Sequence, residues 1–448
     1  MIGTMPNASA LSRRAAYART RLFNTRTNTA LSLAAIVVGA ALAFLLARFI
    51  LFDANWALVA INRKLFFVGS YPPDEAFRIW IAVFLTALLA SLSYGLWGGN
   101  LRSYAIAVGV AALLILTLGL GTELRIEERP YTEQIRSASG ETTTISGIER
   151  ELVFDRGWAP SWLYAISLGL ALPFGAPWLL MAAVFALLVA GAMAGRRLTR
   201  WKTNPILLQS IGAAWVLLIP IVVLLQTGVG VDKWESAFLD LLVFAVGGLF
   251  SFVIGVLLAL GRRSPYRAIS IASITYIEVV RAAPLLVWLL FATFLEDELG
   301  PVGEAFSNIS LAYRVTVVFA FFGGAYIAEV VRGGLQSIPR GQYEAADAIG
   351  LSPVQKYALI ILPQAVRAVV PAIIGRFIAL WKDTALLAAV SLVNTLEKAK
   401  KVLGGQTDIA DGAFFEIYII VGLVYWVVSY LLSRLGGAAE TRLRVGAR

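Results

Sequence analysis

Residues 342–364, QYEAADAIGLSPVQKYALIILPQ, form a charged stretch between long apolar runs. The stretch predicts two short helices with a turn between them. Pro339 suits the first turn of the first helix, where a missing N–H costs nothing, and Gly350 suits the left-handed residue just past its end. Ser352 is a typical N-cap for the second helix, with Pro353 at its first position. Each piece is about ten residues long, short of the ~20 that cross a bilayer, so we expect a helix-turn-helix outside the hydrocarbon, held between two spans.

The first predicted helix has two different faces. Helical spacing collects apolar or small side chains on one face and charged side chains on the other. A short, stiff, half-apolar knob of this kind is what a soluble partner can grip, and Pro363 is expected to close or kink the second helix behind it. The apolar face holds Tyr343, Ala346 and Ile349, and the charged face holds Arg340, Glu344 and Asp347.

The composition indicates a membrane protein. Of the 448 residues, 59% are hydrophobic and 15% are charged, which is more apolar than a soluble domain. We interpret the net charge of +10 as loop charge that fixes topology, not as affinity for nucleic acid. The chain has no Cys and no His, which removes thiol chemistry, imidazole bases and His-based metal sites. It also has no G-x-x-x-x-G-K-[ST] phosphate loop. We therefore expect no catalytic residue, metal or cofactor in this chain.

Apolar runs and basic clusters predict an all-α, polytopic membrane protein with about ten transmembrane helices. Clusters of Lys and Arg stay in the cytoplasm, and here they place both termini on that side. The longest polar stretch, 122–160, then lies outside, either as a mobile loop or as a contact for a soluble binding protein. The predicted spans lie at about 29–52, 78–97, 104–121, 174–194, 206–226, 237–261, 268–295, 311–331, 365–381 and 413–433.

Charged residues begin to appear inside the spans from about residue 234, and this change divides the chain. The predicted parts are a cytoplasmic segment at 1–28, an extension with about five spans at 29–233, a core at 234–434 that contains the loop at 338–364, and a cytoplasmic tail at 435–448.

Charged side chains inside spans are costly unless they are paired or wetted, so they are candidates for function. Residues three apart share a helix face and can pair with each other. Each set therefore has two readings, a self-satisfied ion pair that locks helices together or a contact for a transported solute. The sets are Glu278 with Arg281, Glu329 with Arg332, and Lys382 with Asp383 and Thr384.

The loop resembles the EAA loop of ABC importer permeases in every spaced position. The matching residues are Glu344-Ala345-Ala346, then Gly350, Ile360 and Leu362-Pro363. In that family the loop docks into a groove on a cytoplasmic ATPase, and the fold is a type-1 ABC transmembrane core. The resemblance implies a coupling role for Tyr343, Glu344, Ala345, Ala346, Asp347, Gly350, Leu362 and Pro363.

Three further segments resemble the polar amino-acid permeases within this family. Residues 278–286 match E-x-x-R-G-x-P-L-L except for Ala282, where the family usually has Gly; residues 325–336 match the run before the loop; and residues 382–386 match K-D-T-S-L with Ala for Ser. The likeness covers about 234–433, and the long extension is similar to the M-type subunit of general L-amino-acid permeases. The implied substrate pathway is lined by Glu278, Arg281, Pro284, Tyr326, Glu329, Lys382, Asp383 and Thr384.

The resemblance implies a transport subunit and not an enzyme. It implies half of the pathway of an ATP-driven, binding-protein-dependent importer of L-amino acids in the bacterial inner membrane. The implied partners are a dimer of ATPase subunits that binds ATP and Mg, a second permease that is a paralogue rather than a copy, and a periplasmic amino-acid-binding protein. Two other classes stay open: a secondary transporter or channel driven by an ion gradient, and a membrane enzyme, which the lack of His and Cys disfavours.

Overall fold

A computed structural model describes residues 22–54, 56, 59, 62–72, 74–97, 102, 104–106, 108–110, 124–136, 142–154, 177–201, 204–298, 308–405 and 414–445. The helices of eight or more residues in that part are α1 Arg26–Arg48, α3 Phe77–Trp97, α4 Pro177–Arg197, α5 Pro205–Gln226, α6 Ser236–Gly261, α7 Arg267–Ala282, α8 Leu285–Glu298, α9 Leu311–Ser337, α10 Arg340–Ala348, α12 Leu362–Asp383, α13 Thr395–Gly405 and α14 Phe414–Val445. Shorter pieces are α2 Arg63–Val68, α11 Pro353–Gln355, the π turns Phe49–Asp53 and Lys356–Ile361, and the 3₁₀ turns Leu198–Trp201, Val231–Lys233 and Thr384–Val390.

The described helices confirm a polytopic helical membrane protein. By length and composition, 8 of them can cross a membrane, or 9 when the bent pair α7 and α8 is counted as one span. These correspond to nine of the ten predicted spans. The predicted span at 104–121 lies mostly outside the described residues, as do the N-terminal segment up to residue 21 and the last three residues of the tail.

The predicted mobile loop at 122–160 contains an antiparallel hairpin of two strands, β1 Leu124–Arg136 and β2 Thr142–Phe154. The stretch interpreted as a loop therefore contains paired strands that the sequence did not predict. The register sets Glu128 opposite Arg150 and Arg129 opposite Glu149. The β-branched run Thr142-Thr143-Thr144 also favours a strand.

The predicted straight span at 268–295 is broken in the middle. α7 and α8 meet at an angle of 96°. Ala283, between them, has extended backbone angles (φ −109°, ψ 147°), because the ring of Pro284 disfavours the helical region for the residue before it. The break brings the end of α7, with Glu278 and Arg281, beside α9 and not along a continuing straight rod.

The core of the bundle is the close pair α6 and α9. Their glycines alternate with isoleucines of the other helix, since a methyl group on Gly255 would lie 2.6 Å from a side-chain carbon of Ile327, and one on Gly324 would lie 2.7 Å from Ile254. Small residues of this kind let two membrane helices approach closely and gain dispersion contacts. This pair positions Arg262, at the end of α6, against the charged half of α9.

The extension is tied to the core at the start of α6. Glu235 accepts from the backbone N–H of Ser70 at 2.6 Å and pairs with Lys398 at 2.7 Å, and both charged side chains are nearly buried. Burial alone would raise the pKa of Glu235, but hydrogen bonds from Lys398 and Ser70 and the charge of Lys398 hold it below its usual range. Ser236 follows in the left-handed region (φ 58°), held by its N–H bond to Val393 O at 2.7 Å.

Candidate functional site

The first half of the loop at 338–364 folds as the sequence predicts. α10 runs over Arg340–Ala348 with Pro339 at its N-cap, and Gly350 is left-handed (φ 76°). Ser352 caps the next turn, where its side chain accepts from the N–H of Gln355 while Gln355 accepts from the N–H of Ser352. This reciprocal capping box satisfies two backbone donors at the helix start, so the turn between the helices is locally well defined.

The second half of the loop does not end at Pro363, so the predicted closure of the second helix there is wrong. The chain passes from α11 through the π turn Lys356–Ile361 directly into α12, and the segment Pro353–Val390 satisfies the criteria for one membrane-crossing unit. Pro363 sits in the first turn of α12, where the missing N–H removes little, and the wider π turn just before it accommodates the ring. The loop is thus mechanically continuous with a span.

α10 is anchored to the bundle by one side. Ala346 is buried. The Tyr343 hydroxyl donates a hydrogen bond to Leu335 O at 3.1 Å and accepts one from Arg263 at 3.0 Å. Lys356 Nζ reaches Asp347 Oδ1 at 2.6 Å across the turn. Tyr343 and Ala346 therefore lie on one face, as predicted, and the structure turns that face toward the bundle.

The other side of the loop is exposed and partly apolar. Glu344 lies exposed and is absent from the anchoring contacts. Ile349, predicted on the apolar face with Tyr343 and Ala346, is 72% exposed, because it lies past the last turn of α10 as its C-cap. Val354 and Leu359 are also exposed, at 78% and 65%. The loop thus exposes one carboxylate and three large apolar side chains, and exposed apolar side chains that form a patch mark protein-docking surfaces.

A charge cluster lies where α6, α7 and α9 cross, with Glu329 at its centre. Glu329 pairs with Arg262 at 2.7 Å, with Arg332 at 2.9 Å and with Arg281 at 3.7 Å. The predicted Glu329–Arg332 pair is confirmed. The predicted pairing of Glu278 with Arg281 is not what the structure shows, since Glu278 pairs with Arg262 at 3.4 Å. The neighbouring helices offer better-placed partners than the next turn of α7.

Tyr326 links this cluster to α12. The guanidinium carbon of Arg281 lies 5.3 Å from the centre of the Tyr326 ring, and that of Arg376 lies 4.1 Å from it. Such cation–π contacts hold a guanidinium over an aromatic face. Arg376 was missed by the sequence reasoning, although an arginine within the predicted span at 365–381 was a visible signal.

The remaining predicted pathway residues lie apart from Glu329. Thr384 is buried, and its hydroxyl donates to Trp381 O at 2.8 Å. Asp383 is half-buried and Lys382 is exposed at the end of α12. Pro284 forms the bend between α7 and α8. The structure therefore brings Glu278, Arg281, Tyr326 and Glu329 together, whereas Asp383 lies at the end of α12, near enough to Arg376 for their charges to interact.

A buried carboxylate at the opposite end of α6 was also missed. Asp240 is fully buried and accepts from the hydroxyl of Thr395 at 2.6 Å, the N–H of Thr395 at 3.1 Å and the hydroxyl of Tyr425 at 3.1 Å. These contacts join α6, α13 and α14. We interpret this cluster as a structural clamp, because all three donors are directed at a single oxygen of Asp240.

Comparison with known proteins identifies the family. A profile described as "Binding-protein-dependent transport system inner membrane component" matches residues 251–445. Over 210 residues, 47% of this chain, the sequence is 32% identical to the probable glutamine ABC transporter permease protein GlnP of Bacillus subtilis, and it covers 92% of that protein. The chain belongs to this family of inner-membrane transport components. The predicted permease family and the predicted helical membrane fold are thereby confirmed.

Two other relatives of this permease are longer than the matched part. The permease is 39% identical over 214 residues to the glutamate/glutamine/aspartate/asparagine transport system permease protein BztC of Rhodobacter capsulatus, covering 48% of each chain. It is 34% identical over 242 residues to the inner membrane amino-acid ABC transporter permease protein YhdY of Escherichia coli, covering 52% of this chain and 65% of that protein. The permease thus spans about half and just under two thirds of their lengths.

One solved structure gives a weaker likeness. It is described as "Crystal structure of an amino acid ABC transporter with histidines" and is 27% identical to the permease, with a TM-score of 0.39 over 45% of this chain and 90% of that chain.

Proposed function

We propose that this permease forms half of the membrane pathway of an ATP-driven, binding-protein-dependent importer of L-amino acids in a bacterial inner membrane. The observation that carries the proposal is the loop at 338–364, which is anchored on one side and presents Glu344 with exposed apolar side chains on the other. The relatives named above, described as amino-acid permeases, support the substrate class. A second, paralogous permease and a periplasmic binding protein complete the assembly.

The loop transmits a conformational change of the ATPase to the membrane helices. An ATPase dimer that binds ATP and Mg grips the exposed face of α10 and moves as it closes. Tyr343 and Arg263 pass that movement to the ends of α6 and α9, while the unbroken path through the π turn passes it to α12. Rigid helices that shift between two packings are the usual means of switching a pathway. Arg262 of the charge cluster is the chain neighbour of Arg263, so the same movement reaches Glu329.

The charged side chains along this pathway suit a zwitterion. An arginine fork matches a carboxylate, and a carboxylate matches an ammonium group. Arg281 is proposed to meet the substrate carboxylate and Asp383 its ammonium group. Arg281→Ala and Asp383→Ala are expected to raise the apparent KM for amino-acid uptake in assembled complexes. Unchanged apparent affinity in both variants rejects these two roles.

The coupling role is tested by reversing the charge of the exposed carboxylate. In membrane vesicles with the ATPase and binding protein, Glu344→Lys is expected to leave the permease inserted at normal levels but to abolish uptake. Asp232→Lys is the matched control, because Asp232 is 71% exposed and lies outside the loop. Normal uptake by Glu344→Lys, or an equal loss in Asp232→Lys, contradicts the proposed coupling.

A further inference from the structure

Two arginines converge on one tyrosine near the middle of α9. Tyr326 lies about 16 Å from Ser337, the last residue of the helix, at 1.5 Å per residue. Arg281 approaches its ring from α7, and Arg376 approaches it from α12. The two guanidinium groups therefore cannot be further apart than these two short distances together. This separation is within the reach of one small molecule.

The two guanidinium groups have unused hydrogen-bonding capacity. The Nε atoms of Arg281 and Arg376 are buried without a hydrogen-bond partner among the described residues. Arg281 shares Glu329 with two better-placed arginines and lies 3.7 Å from it. Within the described part of the chain, no carboxylate lies within 4.0 Å of Arg376, and Asp383 acts on it only from further away. Buried donors of this kind are normally satisfied.

The charges around Tyr326 do not balance. A guanidinium inside a membrane span that served only structure would be expected to have a paired carboxylate. The cations outnumber the carboxylates, and a zwitterionic solute does not change this excess. The cations of this region include Arg262, Arg281, Arg332, Arg376 and Lys382, the chain neighbour of Asp383, and the carboxylates are Glu278, Glu329 and Asp383.

We propose that Arg376 and Arg281 together form a receptor for amino acids that carry a second carboxylate in the side chain. Arg281 binds the α-carboxylate and Arg376 binds the side-chain carboxylate, with Tyr326 holding both forks in place. A dicarboxylic amino acid has a net charge of −1 at neutral pH and so reduces the excess of positive charge. The proposal rests on the proposed function, because it requires Tyr326 to face the pathway.

The test is equilibrium binding of radiolabelled L-glutamate and L-glutamine to the purified permease–ATPase complex without binding protein. The two ligands have nearly the same shape and differ in the charge that Arg376 is proposed to read. Arg376→Gln is expected to raise the Kd for L-glutamate about ten-fold or more, the loss typical of a hydrogen bond to a charged group, and to change the Kd for L-glutamine less than two-fold. Arg367→Gln, on an exposed turn of the same helix, is the matched control and is expected to change neither.

The other outcomes overturn the proposal. An equal loss for both ligands in Arg376→Gln, or no change for either, shows that the arginine only packs on Tyr326. If that variant does not assemble, Arg376→Lys decides, since it keeps the charge without the planar fork. A weaker loss confined to L-glutamate supports the receptor, and an unchanged preference refutes it. Uptake by the wild-type complex is measured in parallel, so that absent transport refutes the proposed function and a lost preference alone refutes the receptor.

Discussion

The charge cluster predicts a sharp difference in stability between two carboxylates. Glu329→Gln removes the negative charge shared by Arg262, Arg281 and Arg332, and leaves three cations close together. Glu278→Gln, one helix away, removes a carboxylate that is 60% exposed and meets one arginine at 3.4 Å. The two substitutions have the same chemistry and differ only in surroundings.

The expected loss in the free energy of unfolding depends on how deeply each carboxylate is buried. Breaking a fully buried ion pair costs about 3–5 kcal/mol. The Glu329 side chain is 18% exposed and that of Arg262 is 26% exposed, so we discount this to about 2 kcal/mol for screening. The exposed Glu278 contributes below about 1 kcal/mol on the same reasoning. At roughly 2 °C per kcal/mol for a long chain, Glu329→Gln lowers the unfolding midpoint by about 4 °C and Glu278→Gln by less than half of that.

Thermal unfolding of the detergent-purified permease measures this directly. The wild type and the two variants are compared at one protein concentration and one salt concentration, because ion pairs are screened by salt. A fall in the Glu278→Gln midpoint as large as that in Glu329→Gln contradicts the reasoning, and so does an unchanged Glu329→Gln.

Two other substitutions test the remaining contacts. The pKa of Glu235 is lower in the folded protein than the ordinary carboxyl pKa of 4.5. The pairing of Glu235 with Lys398 therefore stabilises the fold above pH 4.5, and this stabilisation is lost as the pH falls through the lower pKa of the folded state. Wild type should thus unfold at a higher temperature than Glu235→Gln at pH 7, with the gap closing below pH 4.5; a constant gap in unfolding scans across pH contradicts this. Gly255→Ala should destabilise by about 1–3 kcal/mol because the methyl group meets Ile327, whereas Gly422→Ala, which meets nothing within 4 Å, should not; equal midpoints in the same scans count against the close helix pair.

Local signals in the sequence were sufficient for the first half of the loop. Gly350 and Ser352 act through their own backbone geometry, so the turn could be predicted without knowing the rest of the fold. Pro363 was misjudged because its effect depends on the π turn before it, and a wider turn is a feature of the whole helix. The same holds for Pro284, where the extended residue before it turns a span by a right angle.

The spacing of charged residues in the sequence did not predict the ion pairs that form between different helices. Glu278 and Arg281 are three residues apart, but the packing of α6 and α9 offers each of them a partner on another helix. Arg376 is 50 residues from Tyr326 along the chain and touches its ring only because α12 returns beside α9. The hairpin was missed for a related reason, since the residues that lie opposite each other become visible only once the register of β1 and β2 is known.

The central claim is that the loop at 338–364 carries work from an ATPase into the membrane helices. Its most direct test is amino-acid uptake into proteoliposomes that contain the purified permease assembly with its binding protein, measured with and without the ATPase and ATP. We predict uptake only when both are present, and none from the permease assembly under an imposed ion gradient. Uptake without the ATPase, driven by the gradient alone, would contradict the claim.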